Sequence, residues 1–349
     1  MKKGLKAFLI ILGVLLALLV IIGIGGYKMF ADEIAAMSTI QELSDDFYYM
    51  EYRGDYGFDE FLEQGGGSKD SDIADYMTSF LSKGFASYSV KPTGFACSTV
   101  SAKTSDGAHV MGRNFDWDKC KGIIVHTVPD NGYESISTCN LNFIADSADF
   151  DPTADMESKM LTLAATYVPL DGMNEKGLCI ADLIINGFAP ADQNTDKTDL
   201  TTTTAIRLIL DKAATVDEAV ALLEKYDMHS SADMTHHFSV SDATGKSVVI
   251  EYVDNEMVVT DTQVVTNHVI APGEYCGTGL STTSKARFEK LLSTYEAANG
   301  VMSTDDVRDA LESVKDDTEW SVVWNSEDLT MSYYHRANFE KPCVCSLGK

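Results

Sequence analysis

The amino end of the chain carries an uncharged apolar run, residues 7–26, that begins just after Lys2, Lys3 and Lys6. A helix of this length rises about 30 Å, which is enough to cross the hydrocarbon core of a bilayer. The run is longer than a usual secretory signal and no clean A-x-A site follows it, so an uncleaved signal anchor is favoured. No polar face interrupts it, which argues against a buried helix of a globular domain.

Lysines before the run and acidic sequence after it predict a single-pass protein of the cell membrane, with the remaining chain outside the cytoplasm. Of the 349 residues, 53 are acidic and 27 basic, a formal net charge of -26. Binding to nucleic acid needs a basic footprint, so we expect no nucleic acid partner. A solvated acidic surface is the simplest explanation of the excess charge.

Three segments are expected along the chain. Residues 1–30 form the anchor, 31–96 a helical pro-segment or stalk, and 97–349 the main folded domain. The acidic stretch 32–90 predicts helices over 34–52 and 71–83, with a break at Gly65-Gly66-Gly67-Ser68 between them.

From residue 97 onward the pattern becomes that of a mixed domain. Small and apolar residues alternate over 97–102, Ser105-Asp106-Gly107 supplies a turn, and a second strand over 108–116 completes a predicted hairpin. Further predicted strands are 122–128, 160–167, 177–185, 237–241, 247–252, 256–265, 320–324 and 329–335, and further predicted helices are 203–213, 216–226, 284–298 and 304–315. Because the two kinds of element come in blocks, we expect an α+β fold of two antiparallel sheets with helices on their outer faces.

The chain has seven cysteines, and an odd number leaves at least one thiol outside any disulfide. Cys343 and Cys345 are expected to point to opposite faces of a strand, which would make them poor partners for each other or for zinc. No cluster of His, Cys and carboxylate residues has the spacing of metal ligands, and we expect neither a metal nor another cofactor.

Cys97, at the start of the predicted hairpin, is the candidate nucleophile. Such a cysteine is often only a small buried residue. A reactive thiol needs a base within hydrogen-bond reach, and no histidine of the sequence is a convincing candidate. If Cys97 were the first residue of a chain, its own α-amine, with a pKa near 7.7–8.0, could act as the base. That solution requires removal of everything before Cys97.

The segment Gly112-Arg-Asn-Phe-Asp-Trp117 lies at the end of the hairpin that returns beside Cys97. Arg113 and Asp116 are three residues apart and face opposite sides of a regular strand, so both approach the nucleophile only if the strand ends or bulges there. The alternative for this pair is a surface salt bridge.

With these residues the sequence resembles the choloylglycine hydrolase family of linear amide C–N hydrolases, which includes bile salt hydrolases and penicillin V acylases. Acid ceramidase-like amidases begin similarly. The resemblance starts with Cys97, Arg113 and Asp116 at their family spacing. It continues in order through Asp171-Gly-Met-Asn-Glu-Lys-Gly-Leu178, residues 239–251, Thr266-Asn267 and Ala286-Arg287-Phe288.

The resemblance implies a four-layer αββα N-terminal nucleophile hydrolase fold in the catalytic domain, residues 97–349. Cys97 would be the nucleophile through its sulfur and the base through its amine, which Asp116 would orient. Arg113 and Arg287 would favour the thiolate. Asn267 would donate its side-chain amide to the oxyanion, as would the backbone N–H of Ile184. Without the resemblance, the simplest interpretation of Asn267 is a turn residue at the end of a strand, and that of Arg287 is a residue on a solvated helix face.

Two departures from the family pattern affect specificity and processing. Bile salt hydrolases have an asparagine where this chain has Ile184. The family uses the backbone N–H at this position, so catalysis is still expected, but specificity for bile salts is left open. The 96 residues before Cys97 imply self-cleavage of the Ala96–Cys97 bond.

The expected activity is hydrolysis of an N-acylated small-molecule amide. An acyltransferase with the same nucleophile, or an inactive membrane-tethered binding protein, is the alternative. The oligomeric state is left open, as is release of the catalytic part from the membrane.

Overall fold

The computed structural model describes residues 29–84, 87–88, 96–145, 147 and 149–348. The helices within these ranges are α1 Ala31–Thr39, α2 Phe58–Glu63, α3 Asp70–Phe80, α4 Met156–Thr162, α5 Thr202–Lys212, α6 Val216–Leu223, α7 Thr282–Ala297 and α8 Thr304–Glu312. The strands are β1 Gln41–Ser44, β2 Phe47–Arg53, β3 Ala96–Lys103, β4 His109–Asp116, β5 Gly122–Val128, β6 Ser135–Asn140, β7 Asp171–Asn174, β8 Cys179–Ile185, β9 Thr198–Thr201, β10 Tyr226–His229, β11 Thr235–Ser241, β12 Ser247–Val253, β13 Glu256–Asp261, β14 Val264–Val265, β15 Thr318–Asn325, β16 Thr330–His335 and β17 Cys343–Ser346.

Two large sheets dominate the described structure. The first has nine strands in the order β1-β2-β5-β6-β7-β8-β11-β12-β13, and the second has six in the order β14-β3-β4-β15-β16-β17. Strands β9 and β10 form a separate parallel pair. The α+β expectation is confirmed, but the nine-stranded sheet is not wholly antiparallel, because β2 runs parallel to β5.

Apolar side chains form three main layers of core. One cluster lies between the two sheets and includes Cys97, Phe115 and Trp320. A second packs the nine-stranded sheet against its helices, including α5 and α6. The third packs the six-stranded sheet against α7 and α8. Both faces of each sheet are therefore covered, which accounts for strands in which nearly every residue is buried, such as β4 and β8.

The predicted hairpin of β3 and β4 is confirmed, with Cys97 opposite Phe115 and Thr99 opposite Arg113. Gly112 lies where α8 crosses β4. A Cβ atom at this position would lie 2.5 Å from the Cγ1 of Val307 and 2.8 Å from the Cδ1 of Leu311. The absence of a side chain therefore lets α8 pack directly on the hairpin, next to Arg113.

The predicted helix over 71–83 is confirmed by α3, whereas the predicted helix over 34–52 is wrong beyond Thr39. Helix α1 ends at Thr39, and the chain then forms β1 and β2 instead of continuing as a helix to Tyr52. Phe47 packs in the core between the sheets, whereas Met50 and Tyr52 pack on the helix-covered face of the same sheet. The alternating aromatic side chains of β2 thus contribute to two layers of the fold.

Two other expectations for individual elements are wrong. Residues 160–167 are helical rather than extended, because the Asp155 side chain accepts the N–H of Ser158 and caps α4. Cys343 and Cys345 share a face of β17 because side chains two apart in a strand point the same way, and both pack towards the core between the sheets.

The predicted membrane span, residues 7–26, lies outside the described residues. Within the ranges that the structure describes, no helix is long and apolar enough to cross a membrane.

Candidate active site

Cys97 lies in β3 with its side chain in the core between the sheets, and it is fully buried. Its backbone N–H donates a hydrogen bond of 3.0 Å to the Oδ1 of Asn267. Its carbonyl oxygen accepts a bond of 2.7 Å from the Nη1 of Arg287. Both backbone groups of the candidate nucleophile are therefore held by side chains that the sequence places about 170 to 190 residues away.

Arg113 approaches Cys97 from the neighbouring strand of the hairpin. Its Nη2 lies 3.3 Å from the Sγ of Cys97 and also donates to the carbonyl oxygen of Asp182, at 3.1 Å. Its Nη1 binds the carboxylate of Asp171, which also accepts a bond of 2.7 Å from the hydroxyl of Thr138. Arg113 is fully buried, which excludes a surface salt bridge as its role.

Asp116 ends β4, on the face of the hairpin away from the sulfur of Cys97. Its Oδ2 accepts a bond of 2.9 Å from Arg287, and its Oδ1 accepts one of 2.5 Å from the hydroxyl of Thr318. A register shift in β15 opposite this end of β4, between Thr318 and Trp320, meets the condition of a strand end or bulge. Asp116 reaches Cys97 through Arg287 rather than directly.

Arg287 lies in α7 and is 7% exposed, so the alternative of a solvated helix face is excluded. Besides Cys97 and Asp116, it contacts the Oδ1 of Asn267 through its Nη2, at 2.8 Å. The Oδ1 of Asn267 thus accepts from both the Cys97 backbone and the Arg287 guanidinium.

The side-chain Nδ2 of Asn267 donates to the carbonyl oxygen of Ile184, at 2.8 Å. This contact places the end of β8 next to Cys97, but it is made by the carbonyl of Ile184 and not by its N–H. The amide nitrogen of Asn267 carries two hydrogens, and one of them is used in this bond. Asn267 can therefore donate to an oxyanion only through its second hydrogen.

Burial dominates the electrostatics of the site. It raises the pKa of the Cys97 thiol to about 12, although the guanidinium of Arg113 acts in the opposite direction. Burial also raises the pKa of Asp116 to about 6, against the lowering effect of Arg287 and Thr318. In the uncleaved chain the thiol is therefore protonated at neutral pH, and its activation needs a base.

The two adjacent histidines of β11 serve other contacts. His236 bonds the carboxylate of Asp182, at 2.9 Å, and the carbonyl oxygen of Ser231, at 3.0 Å. His237 bonds the carboxylate of Glu251, at 2.9 Å. Neither contact involves Cys97. Across the described part of the chain, no group of three or more His, Cys, Asp or Glu residues is arranged to hold a metal ion.

Comparison with known proteins places the chain in a family. Residues 97–270 match the model of the linear amide C–N hydrolases, choloylglycine hydrolase family. Through this region the chain belongs to the choloylglycine hydrolase family. The resemblance inferred from Cys97, Arg113 and Asp116 is thereby confirmed, and the matched region begins at Cys97 itself.

Individual relatives cover different shares of the chain. It is 26% identical over 199 residues to the bile salt hydrolase/transferase of Clostridium perfringens, an alignment of 52% of this chain and 58% of the relative. It is 34% identical over 110 residues to the penicillin V acylase of Pectobacterium atrosepticum, covering 28% of this chain and 29% of the relative. The chain thus spans less than two thirds of the length of these curated relatives.

A solved structure of a mutant conjugated bile acid hydrolase from Clostridium perfringens has the same fold over 72% of this chain and 92% of its own, with a TM-score of 0.55 and 18% identity.

The structure brings together all six residues expected at the site. Asp171 is a partner that sequence reasoning missed, although it opens one of the family blocks. Its place in that block was the available signal, because its burial in β7, where a carboxylate needs a cationic or hydrogen-bonding partner, appears only in the structure. Two further partners were missed because neither has a local sequence signal: Thr318, whose hydroxyl donates to Asp116, and Ser284, whose hydroxyl oxygen accepts the backbone N–H of Asn267.

Proposed function

We propose that this protein hydrolyses a linear amide C–N bond in an N-acylated small molecule, after cleavage of its own Ala96–Cys97 bond. The observation that carries the proposal is the contact of Arg113 with the Sγ of Cys97, at 3.3 Å, while Asn267 holds the Cys97 nitrogen at 3.0 Å. Sulfur and nitrogen of one residue are thus fixed in position by different partners, as expected for a residue that serves as both nucleophile and base.

In the proposed reaction the α-amine of Cys97, freed by cleavage, accepts the thiol proton as the sulfur attacks the substrate carbonyl. The tetrahedral intermediate collapses to an acyl-cysteine thioester, and the leaving amine takes up the proton. Water then attacks the thioester, the carboxylic acid is released and the thiol is restored. Each donor to the intermediate oxyanion is typically worth about 3–4 kcal/mol, and Asn267 and the N–H of Ile184 are the proposed donors.

Arg113 has the proposed role of stabilising the thiolate by its charge, since an adjacent guanidinium lowers the pKa of a thiol. Arg287 and Asp116 act on the other face of the hairpin. They fix the carbonyl of Cys97 and the side chain of Asn267, and through Asn267 the nitrogen of Cys97. We propose that Asp116 orients the amine through this arrangement.

The segment before the cleavage site is proposed to stay bound after cleavage. Strand β2 pairs with β5 over seven residues, and its side chains lie in two cores, so its removal would expose both. With an anchor over residues 7–26, the cleaved protein would remain single-pass and membrane-bound, with its catalytic domain outside the cytoplasm. If the segment stays bound, the catalytic domain therefore stays attached to the membrane instead of being released.

The N-terminal nucleophile αββα assignment is part of the same proposal and is supported by the helix-covered sheets and the shared fold.

Acyl transfer to an amine is a second candidate, because the Clostridium perfringens relative is a bile salt hydrolase/transferase. The same thioester would then be opened by an amine instead of water. Mass spectrometry of products, with and without an added amine acceptor, separates the two reactions.

The test of the proposal is a panel of N-acyl amides, including bile acid, fatty acyl and phenoxyacyl amides, offered to the wild-type protein and to Cys97→Ala. We expect product from the wild type and none above background from the variant. Full turnover by Cys97→Ala would contradict the assignment of the nucleophile. Absence of turnover and of any acylated Cys97 with the wild type would favour an inactive binding protein.

A further inference from the structure

Cys343 and Cys345 lie in β17, an edge strand of the six-stranded sheet. Three strands, β4, β15 and β16, separate it from β3, the strand of Cys97. Register pairs Cys343 with Tyr333 and Cys345 with Met331. Both thiols are partly buried against the core between the sheets, whereas Val344 between them is 59% exposed on the other face. The two side chains therefore share one face of β17, and both residues keep partial exposure to solvent.

We propose that Cys343 and Cys345 form a redox-active dithiol that closes reversibly to a disulfide by exchange with small-molecule disulfides. The proposal does not depend on the amidase activity, because no contact joins this pair to Cys97 or its partners among those described above.

The chemistry of the pair supports unequal roles for the two sulfurs. Hydrogen bonding from Cys345 lowers the pKa of the Cys343 thiol, which makes Cys343 the better thiolate at neutral pH. The same interaction, together with burial, raises the pKa of Cys345. A low-pKa attacking thiol beside a resolving thiol is the usual arrangement for thiol–disulfide exchange.

The exchange has two steps. The thiolate of Cys343 attacks one sulfur of the small-molecule disulfide, forming a mixed disulfide and releasing the other half as a thiolate. Cys345 then loses its proton and attacks the Cys343 sulfur, forming the internal disulfide and releasing the second half. The protein loses two protons and two electrons, which together equal two hydrogen atoms, and the small disulfide is reduced to two thiols.

Strand geometry predicts that this disulfide is easily reduced. Residues two apart in a strand are separated by about 6.6 Å between Cα atoms, near the upper limit for a disulfide. Closure therefore requires β17 to bend away from its pairing with β16. A strained bridge is reduced more readily than an ordinary structural disulfide. As a four-residue strand at the end of its sheet, β17 has few ladder bonds that oppose bending.

The full-length protein offers a direct test with oxidised glutathione as the probe. Trypsin does not cut the Lys341–Pro342 bond, so one peptide, residues 337–349, carries Cys343, Cys345 and no other cysteine. We expect this peptide to lose the mass of two hydrogen atoms after oxidation and to regain it in reduced glutathione. Cys276, an exposed cysteine elsewhere, is the internal control and should instead keep a glutathione adduct until reduced.

A Cys345→Ser variant should stop at the mixed disulfide on Cys343, because the resolving thiol is missing. Three results would overturn the proposal: a peptide that stays reduced while Cys276 reacts, wild-type adducts that persist as they do on Cys276, or an internal disulfide that reduced glutathione does not open. Far-UV circular dichroism of the variant checks that its fold is intact.

Discussion

The guanidinium of Arg113 joins the thiol of Cys97 to the carboxylate of Asp171, with its Nη2 3.3 Å from the Sγ atom and its Nη1 on the carboxylate. All three side chains are fully buried. The charge of the arginine is thus balanced by a carboxylate on one side and is available to a thiolate on the other.

Arg113→Lys should retain a positive charge but lose the fork that contacts two partners at once. We expect the specificity constant, kcat/KM, to fall by about a hundredfold, with a higher apparent pKa for the reaction of Cys97 with iodoacetamide in the cleaved protein. Arg336→Lys, a change in a partly exposed ion pair with Asp46, is the matched control and should leave both quantities unchanged. An unshifted alkylation profile in Arg113→Lys would remove the thiolate-stabilising role.

Asp171→Asn should destabilise the fold, because it leaves the buried charge of Arg113 without its carboxylate. Breaking a buried ion pair typically costs about 3–5 kcal/mol in free energy of unfolding. The control is Asp59→Asn, which breaks a partly exposed pair with Lys212 and should cost no more than about 1 kcal/mol. Urea denaturation of both variants measures the difference, and equal losses would show that Asp171 does not balance Arg113.

Asp116 should make stability depend on pH near neutrality. Its pKa is raised by burial to about 6 in the folded chain from an ordinary value of 3.8. A raised pKa means that the stability contribution is complete below pH 3.8 and is lost as the pH rises through 6. From pH 4 to 7, the free energy of unfolding of the wild type relative to Asp116→Asn should therefore fall, by up to about 3 kcal/mol. If the free energy of unfolding of the wild type relative to Asp116→Asn instead rose with pH, the raised pKa of Asp116 would be contradicted.

Phe47 should hold the segment before the cleavage site to the catalytic domain, since its ring stacks on Tyr333 with centroids 4.3 Å apart. We expect Phe47→Ala to weaken retention of this segment in the cleaved protein, because truncating a buried phenylalanine typically costs about 3–5 kcal/mol. Native mass spectrometry before and after dilution measures the retained fraction. Leu43→Ala, at an exposed position of β1, is the control and should leave retention unchanged. Complete loss of the segment from the wild type after cleavage would contradict the role of β2.

The sequence was sufficient to predict the hairpin of Cys97 and Arg113, because a turn with flanking alternation is a local signal. The strands β1 and β2 were missed although Phe47 to Arg53 contains four aromatic residues, which favour strands, because the acidic surroundings suggested exposed helices. The partners of Cys97 could not be found by local pattern. Arg287 meets its carbonyl only because α7 packs on the six-stranded sheet, and that packing depends on residues far apart in the chain.

N-terminal sequencing of the purified catalytic chain, combined with an amidase assay on the same sample, tests the central claim most directly. We predict that the active sample begins at Cys97 and that Cys97→Ala stays intact and inactive. A full-length protein with an unbroken Ala96–Cys97 bond and full amidase activity would contradict the mechanism, because the Cys97 nitrogen would then be a peptide nitrogen that cannot accept the thiol proton.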